Sequence, residues 1–145
     1  MLFKQPPKDF EPTAEVVGCY CECDGRILLV QRDDPGIEDR WGIVAGHVEK
    51  NEALPAAMVR EMREELGLEL TPERLAYVTK VYVRNDHEDW VFHMFRTSLD
   101  EAAPVVLNEE NKDFSWVTPA EALSMRLVED AAPCIEMCYN ITSND

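Results

Sequence analysis

Glu61, Glu64 and Glu65 stand at i, i+3 and i+4 in a segment of helical periodicity, which at 3.6 residues per turn puts their carboxylates on one stripe. Like charges on one stripe repel. A surface helix usually sets Lys or Arg four residues from each Glu, whereas Glu61 has Glu65 there. A hard divalent cation relieves that repulsion, and a few carboxylates together with substrate phosphates form the ligand set that Mg²⁺ prefers. The plainer alternative, a solvated acidic helix face, is the commoner fate of charge clusters in general. At ~100° per residue the acidic stripe lies about a quarter-turn from Leu54, Met58, Met62 and Leu66, so one side of the helix can be buried while acid stands at its edge.

Outward from these acids the chain reads Gly46, five residues, Glu52, seven residues, Arg60-Glu61-Met62, then Glu64-Glu65, Gly67 and Leu68. Seven fixed residue types and two apolar positions are met over 23 residues. This pattern resembles the Nudix box, and the chain is similar to the Nudix hydrolases (MutT-like), which cleave nucleoside diphosphates linked to another moiety. The strand Leu28-Leu29-Val30-Gln31-Arg32, Trp41 before the glycine turn, and Asp113-Phe114-Ser115-Trp116-Val117 before a helix look like the family's surroundings. The chain departs from the pattern in having Val44-Ala45-Gly46 for Pro-Gly-Gly and Asn51-Glu52 for Gly-Glu.

The resemblance implies metal binding by Glu61, Glu64 and Glu65, with the Gly46 carbonyl as a further oxygen ligand. It implies an ion pair between Arg60 and Glu52 that braces the loop against the helix. Mg²⁺ is the implied cofactor, with Mn²⁺ as a possible substitute. Water must attack phosphorus in a polyanion, a step in which protein and metal mainly neutralise charge and align the nucleophile. The acid that orients or deprotonates that water is, by the same resemblance, either a helix glutamate or one from a later loop; Glu110, next to Glu109 and just before Phe114–Val117, is the loop candidate chosen here. Intact acids and Arg60 favour an enzyme over a silent nucleotide-binding module. ADP-ribose-specific members commonly carry a proline some fifteen residues beyond the box, and none occurs between Pro72 and Pro104, so a nucleoside or deoxynucleoside triphosphate is expected over ADP-ribose or a nucleotide sugar.

The elements that must position these residues follow from periodicity and turn chemistry. Ala14–Cys23 and Arg26–Arg32 are β-rich runs joined by Asp24-Gly25, a two-residue hairpin signal. After the turn-rich stretch Asp33–Arg40, Trp41–Val44 reads as a short strand, and Asn51–Leu66 as the main helix, stopped by Gly67. Arg74–Arg84, Trp90–Thr97 and Phe114–Val117 read as strands. Thr118-Pro119-Ala120-Glu121 is a capping box for a helix reaching about Met125, and Ala131–Asn140 predicts a third helix starting near Pro133. This order points to an α/β (α+β) fold, and the family resemblance to an α/β/α sandwich around a mixed sheet, with residues 1–145 as a single domain.

Fourteen Lys plus Arg against twenty-nine Asp plus Glu give a net charge of −15, which repels nucleic-acid polymers and anionic lipid. A small nucleotide is the expected partner, and a cation must mediate its phosphates. No apolar run approaches the length of a membrane span and the first ten residues hold no signal-peptide stretch, so a cytoplasmic protein is expected; the oligomeric state stays open. Cys19, Cys21 and Cys23 alternate along a strand, ~6.7 Å between successive members, beyond the sulfur spacing of a zinc site and at the edge of disulfide reach. They read as buried thiols, as do Cys134 and Cys138.

Three further residues are substrate candidates. Arg32, at a strand end, could touch phosphate, although such an Arg is as often a surface residue. His47, inside the box, could be a polar contact. Trp90 shares a strand face with Phe92 and could stack a base, although alternating aromatics more often pack a core. His87 and His93 have no metal partner at ligand spacing.

Overall fold

The computed structural model describes residues 1–86, 88–101 and 104–142; His87 lies outside them. Among the described residues the strands are β1 (Leu2–Phe3), β2 (Pro12–Cys23), β3 (Arg26–Arg32), β4 (Trp41–Gly42), β5 (Val44–His47), β6 (Ala76–Arg84), β7 (Asp89–Ser98) and β8 (Asn111–Val117). The helices are α1 (Leu54–Leu66), α2 (Pro119–Ala122) and α3 (Ala131–Tyr139), with a 3₁₀ turn at Pro72–Arg74. The strands form one mixed sheet in the order β1-β6-β7-β2-β3-β4, with β5 also on β2 and β8 also on β3.

The sheet is built to open. β2 pairs in parallel with β7 along its length, but on its other edge it pairs with β3 only at Glu22 and Cys23, beside the Asp24-Gly25 turn, where both turn residues have positive φ. Beyond that point β2 pairs with β5 over Val16–Cys19, while β3 pairs with β4 at Val30 and Gln31. The expected single strand Trp41–Val44 is therefore two short strands on different partners, with Ile43 between them crossing the opening.

Alternation along β2 and β3 divides the core into two layers. Val17, Cys19, Cys21, Leu28 and Val30 face Met58, Met62 and Leu66 of α1. Tyr20, Ile27 and Leu29 face Ala122, Cys134 and Ile135 of α2 and α3. This is the expected α/β/α sandwich with a central mixed sheet. The five cysteines are free, and all but half-buried Cys138 are buried.

Several boundaries differ from those read in the sequence. α1 starts at Leu54 because Asn51 is left-handed (φ 63°) and Pro55 occupies the first turn, where its missing N–H has no helical partner to lose. Gly67 ends the helix in the left-handed conformation (φ 69°), its N–H donating to the Arg63 carbonyl while the Leu68 N–H donates to the Met62 carbonyl. α2 has its capping box yet stops at Ala122, short of Met125. β8 begins at Asn111, three residues before the expected Phe114.

Candidate metal and nucleotide site

The mouth of the opened sheet, the β5 loop and the last turns of α1 meet in one cleft. Gly46 on β5 is the closest approach: a Cβ there would stand 2.1 Å from the carboxyl carbon of Glu61. Glycine lets the strand lie against that carboxylate where it stands; a larger residue would have to displace the end of the Glu61 side chain.

Arg60 organises the rim. Its Nε and Nη2 donate to Glu52 Oε2 and Oε1, both at 2.9 Å, a bidentate pair. Nη2 also donates to the His47 carbonyl at 3.0 Å, and Glu52 Oε1 accepts from the Glu49 N–H at 3.0 Å. The loop from His47 to Glu52 is thus tied to α1. The guanidinium holds the Glu52 carboxyl down to about 2, well below its ordinary range. The brace expected between Arg60 and Glu52 is present, and Arg60 does more. Nη1 donates to Glu61 Oε1 at 2.8 Å and reaches Glu64 Oε2 at 3.4 Å. The acidic stripe therefore carries a cation of its own, Arg60, adjacent to Glu61 and four residues before Glu64. Among the described residues no three His, Cys, Asp or Glu side chains gather as a ready metal cage.

Glu65 differs from the edge position expected of the stripe. It is 1% exposed, turned in against the strands rather than lying at the helix edge. Its Oε1 accepts from Asn111 Nδ2 at 3.1 Å and lies 3.8 Å from Arg32 Nη1, while Oε2 accepts no hydrogen bond. Burial, followed by the neighbouring Glu61 carboxylate, pushes its pKa up to about 8. Arg32 Nε and Asn111 Oδ1 are likewise buried without a partner. Three buried polar atoms without partners, on residues joined by the Asn111–Glu65 hydrogen bond and the Arg32–Glu65 approach, mark this end of α1 as a candidate ligand site rather than a finished core. The donors on offer, carboxylate oxygens and a backbone carbonyl, are those a hard divalent cation takes.

The cleft has a volume of about 640 Å³ and is lined by Arg32, Gly46, His47, Arg60, Glu61 and Trp90, with Glu110 among the rest. Arg32 is turned to Asp34, with Nη2 at 2.6 Å from its Oδ2. His47 is exposed. Glu110 lies on the rim, fixed by its N–H to Asn108 Oδ1 (3.0 Å) and by its carbonyl, which accepts from Asp33 N–H (3.2 Å). Glu64 is the outermost acid of the stripe, its side chain 52% exposed. An apolar pocket of about 150 Å³ adjoins the cleft and shares Val16, Gly42, Ile43, Ala45, Trp90 and Val128 with it. Trp90 and Phe92 line this pocket edge to face, centroids 5.9 Å apart, so they are neither solvent platforms nor fully buried core.

Residues 12–138 match the NUDIX domain family. The chain belongs to the Nudix family. It is a Nudix-type diphosphate hydrolase. It is 32% identical over 126 residues to the CTP pyrophosphohydrolase of Escherichia coli K12, covering 84% of this chain and 88% of that protein. It is 33% identical over 108 residues to the nucleoside triphosphatase NudI of E. coli K12, covering 68% and 77%. The solution structure of the E. coli ORF135 protein superposes with a TM-score of 0.76 at 30% identity, covering 94% of each chain. Among the described residues no helix is long and apolar enough to cross a membrane.

His93 lies away from this cleft, its Nδ1 2.9 Å from the Tyr77 hydroxyl and Nε2 3.0 Å from Glu15 Oε1. The residue that sequence reasoning missed is Asn111. Its only outward signal was an amide next to Glu110, three residues before the strand read at Phe114.

Proposed function

We propose that this Nudix hydrolase converts a nucleoside triphosphate, cytidine-type base favoured, to the monophosphate and pyrophosphate with the help of Mg²⁺. The observation that carries the reading is the Glu61 carboxylate pressed onto Gly46 in a cleft that adjoins an apolar pocket, with the buried, unpartnered Oε2 of Glu65 one helical turn further along α1. Glu61, Glu64 and Glu65, with the Gly46 carbonyl, would hold the cation; Mn²⁺ has the same appetite for oxygen and is an expected substitute. When bound, the ion supplies charge neutralisation on the bridging phosphates and a fixed orientation for water.

In the reaction, the oxygen of water bonds to one phosphorus of the α–β bridge and the bridging P–O bond breaks. The bridging oxygen leaves with the other phosphoryl group and the water protons pass to carboxylate and solvent. Glu110, on the cleft rim, is assigned to orient and deprotonate that water. Arg60 and Glu52 keep the β5 loop in place. Trp90 and Phe92 would receive the base. Glu129 and Asp130 at the margin of the apolar pocket are acceptors suited to an exocyclic amino group, which favours cytosine over uracil, and a CTP-cleaving relative agrees with that choice. Arg32 and His47 would border the phosphates.

Pyrophosphate release from CTP, dCTP and UTP, and AMP release from ADP-ribose, each with Mg²⁺, test this directly. Turnover should be fastest with the cytidine nucleotides. Faster turnover of UTP or ADP-ribose would refute the substrate assignment.

A further inference from the structure

Asn111 is 4% exposed, although it opens an edge strand whose next three residues, Lys112, Asp113 and Phe114, are exposed. A polar residue turned inward at such a place needs a cause, and the ladder supplies it. Gln31 stands opposite Asp113, but Arg32 stands opposite Asn111, so Lys112 is the extra residue of a β-bulge. A bulge re-aims the side chain beside it. Without it, Lys112 would oppose Arg32. With it, Asn111 is brought from β8 to the buried end of α1, where its Nδ2 donates to Glu65 Oε1 at 3.1 Å.

Arg32 is a further cationic donor near that oxygen, yet its Nη1 stands 3.8 Å away, beyond hydrogen-bond range, and its Nη2 is engaged by Asp34 at 2.6 Å. Asn111 therefore supplies the hydrogen bond that fixes the rotation of the Glu65 carboxylate. One oxygen is held and the other, Oε2, is left without a partner. The Asn111 Oδ1 is buried and unpartnered as well, so the amide presents its NH₂ edge to Glu65.

We propose that Asn111 is a positioning residue for Glu65: its amide fixes Oε1 against the bulge of β8, so that Oε2 is the oxygen offered to the divalent cation. This rests on the reading of Glu65 as a metal-binding acid. An aspartate of the same shape would place a second carboxylate against Glu65, and an alanine would leave Oε1 with no donor. A glutamine keeps the amide on a longer arm. Groups that orient a metal-binding side chain through a hydrogen bond typically change metal affinity or activity by roughly 10–100-fold when removed.

The test compares Asn111→Ala, Asn111→Asp and Asn111→Gln with wild type and with Glu65→Gln in two readouts, steady-state nucleotide hydrolysis and Mn²⁺ binding by electron paramagnetic resonance without nucleotide. Asn111→Ala and Asn111→Asp should lower kcat by roughly 10–100-fold and weaken Mn²⁺ binding about tenfold, with nucleotide KM held within about threefold and part of the loss recovered in Asn111→Gln. Wild-type kcat and Mn²⁺ affinity in Asn111→Ala and Asn111→Asp, whatever their melting temperatures, would overturn the proposal and leave Asn111 as a packing residue. Should these variants fail to fold, wild-type protein answers instead: the Asn111 side-chain amide resonances should move with Mg²⁺ in step with metal binding, and amide signals indifferent to Mg²⁺ would overturn it. Wild-type turnover in Glu65→Gln would instead remove the underlying reading of Glu65, independently of how the Asn111 variants behave.

Discussion

Arg60 carries more contacts than any other side chain in the cleft, and its planar fork explains why lysine would not replace it. Its three nitrogens serve Glu52 twice, the His47 carbonyl, Glu61 and, more distantly, Glu64. An ammonium is a point donor and could satisfy one or two of these. Arg60→Lys should therefore keep the charge, loosen the loop from His47 to Glu52, and lower kcat/KM on the order of 10–100-fold. Steady-state kinetics on the folded variant check this, and an undiminished kcat/KM would mean that the loop holds its place without the fork. The pairing of Arg60 with Glu52 was legible through the family resemblance, because both lie in one motif of fixed register. The pairing of Glu65 with Asn111 was not. These two are 46 residues apart and meet only because a bulge shifts one strand by one residue, which leaves no periodic trace in the sequence.

The main helix was readable because its apolar period and glycine stop agree, and both do physical work in the fold. Met58, Met62 and Leu66 are fully buried against the sheet, and Gly67 turns the chain out of the helix at φ 69°. That conformation disfavours any Cβ, and a Cβ at Gly67 would also meet Val106 Cβ at 3.1 Å. Gly67→Ala should cost about 1 kcal/mol of stability, with turnover per folded molecule unchanged. Urea unfolding measures the first and steady-state rates the second; a variant as stable as wild type would show that the helix end relaxes at no cost. The short strands were less legible. Trp41–Gly42 and Val44–His47 are two and four residues long, and their separation depends on β2 and β3 parting after the hairpin, which is a property of the sheet and not of that segment. Likewise the Asn51 start was misplaced because the left-handed φ of that residue follows from the loop held by Arg60.

On the scale of the whole molecule, charge governs both stability in acid and affinity for substrate. Asp89 is held down to about 2 by Arg84, which takes both its oxygens at 2.7 and 2.9 Å, while the Glu11 N–H adds a third hydrogen bond. Arg84 also donates to the Lys8 and Asp9 carbonyls, so this pair fastens the N-terminal segment to the β6–β7 hairpin. A carboxyl whose folded pKa lies below its unfolded value of about 3.9 stabilises fully above that value and loses the contribution as pH falls towards the folded pKa. Melting temperature should accordingly fall between about pH 4 and pH 2, and less steeply in Asp89→Asn. Equal slopes would show that this pair has no part in the acid transition. The same acidity sets the terms of substrate binding. The chain carries a net charge of −15, and the two arginines lining the cleft are already engaged, Arg60 with Glu52 and Glu61 and Arg32 with Asp34. Glu49, Glu61, Glu88 and Glu110 line the same cleft. A polyphosphate entering that field without a cation meets net repulsion, so nucleotide affinity should depend on divalent metal rather than on direct basic contacts. Isothermal titration of a non-hydrolysable CTP analogue should give heat of binding in millimolar Mg²⁺ and at least tenfold weaker binding in EDTA, a difference of about 1.4 kcal/mol or more. Equal affinity in the two buffers would mean that the arginines exchange their carboxylate partners for phosphate, and that the metal serves the reaction without bridging enzyme and substrate.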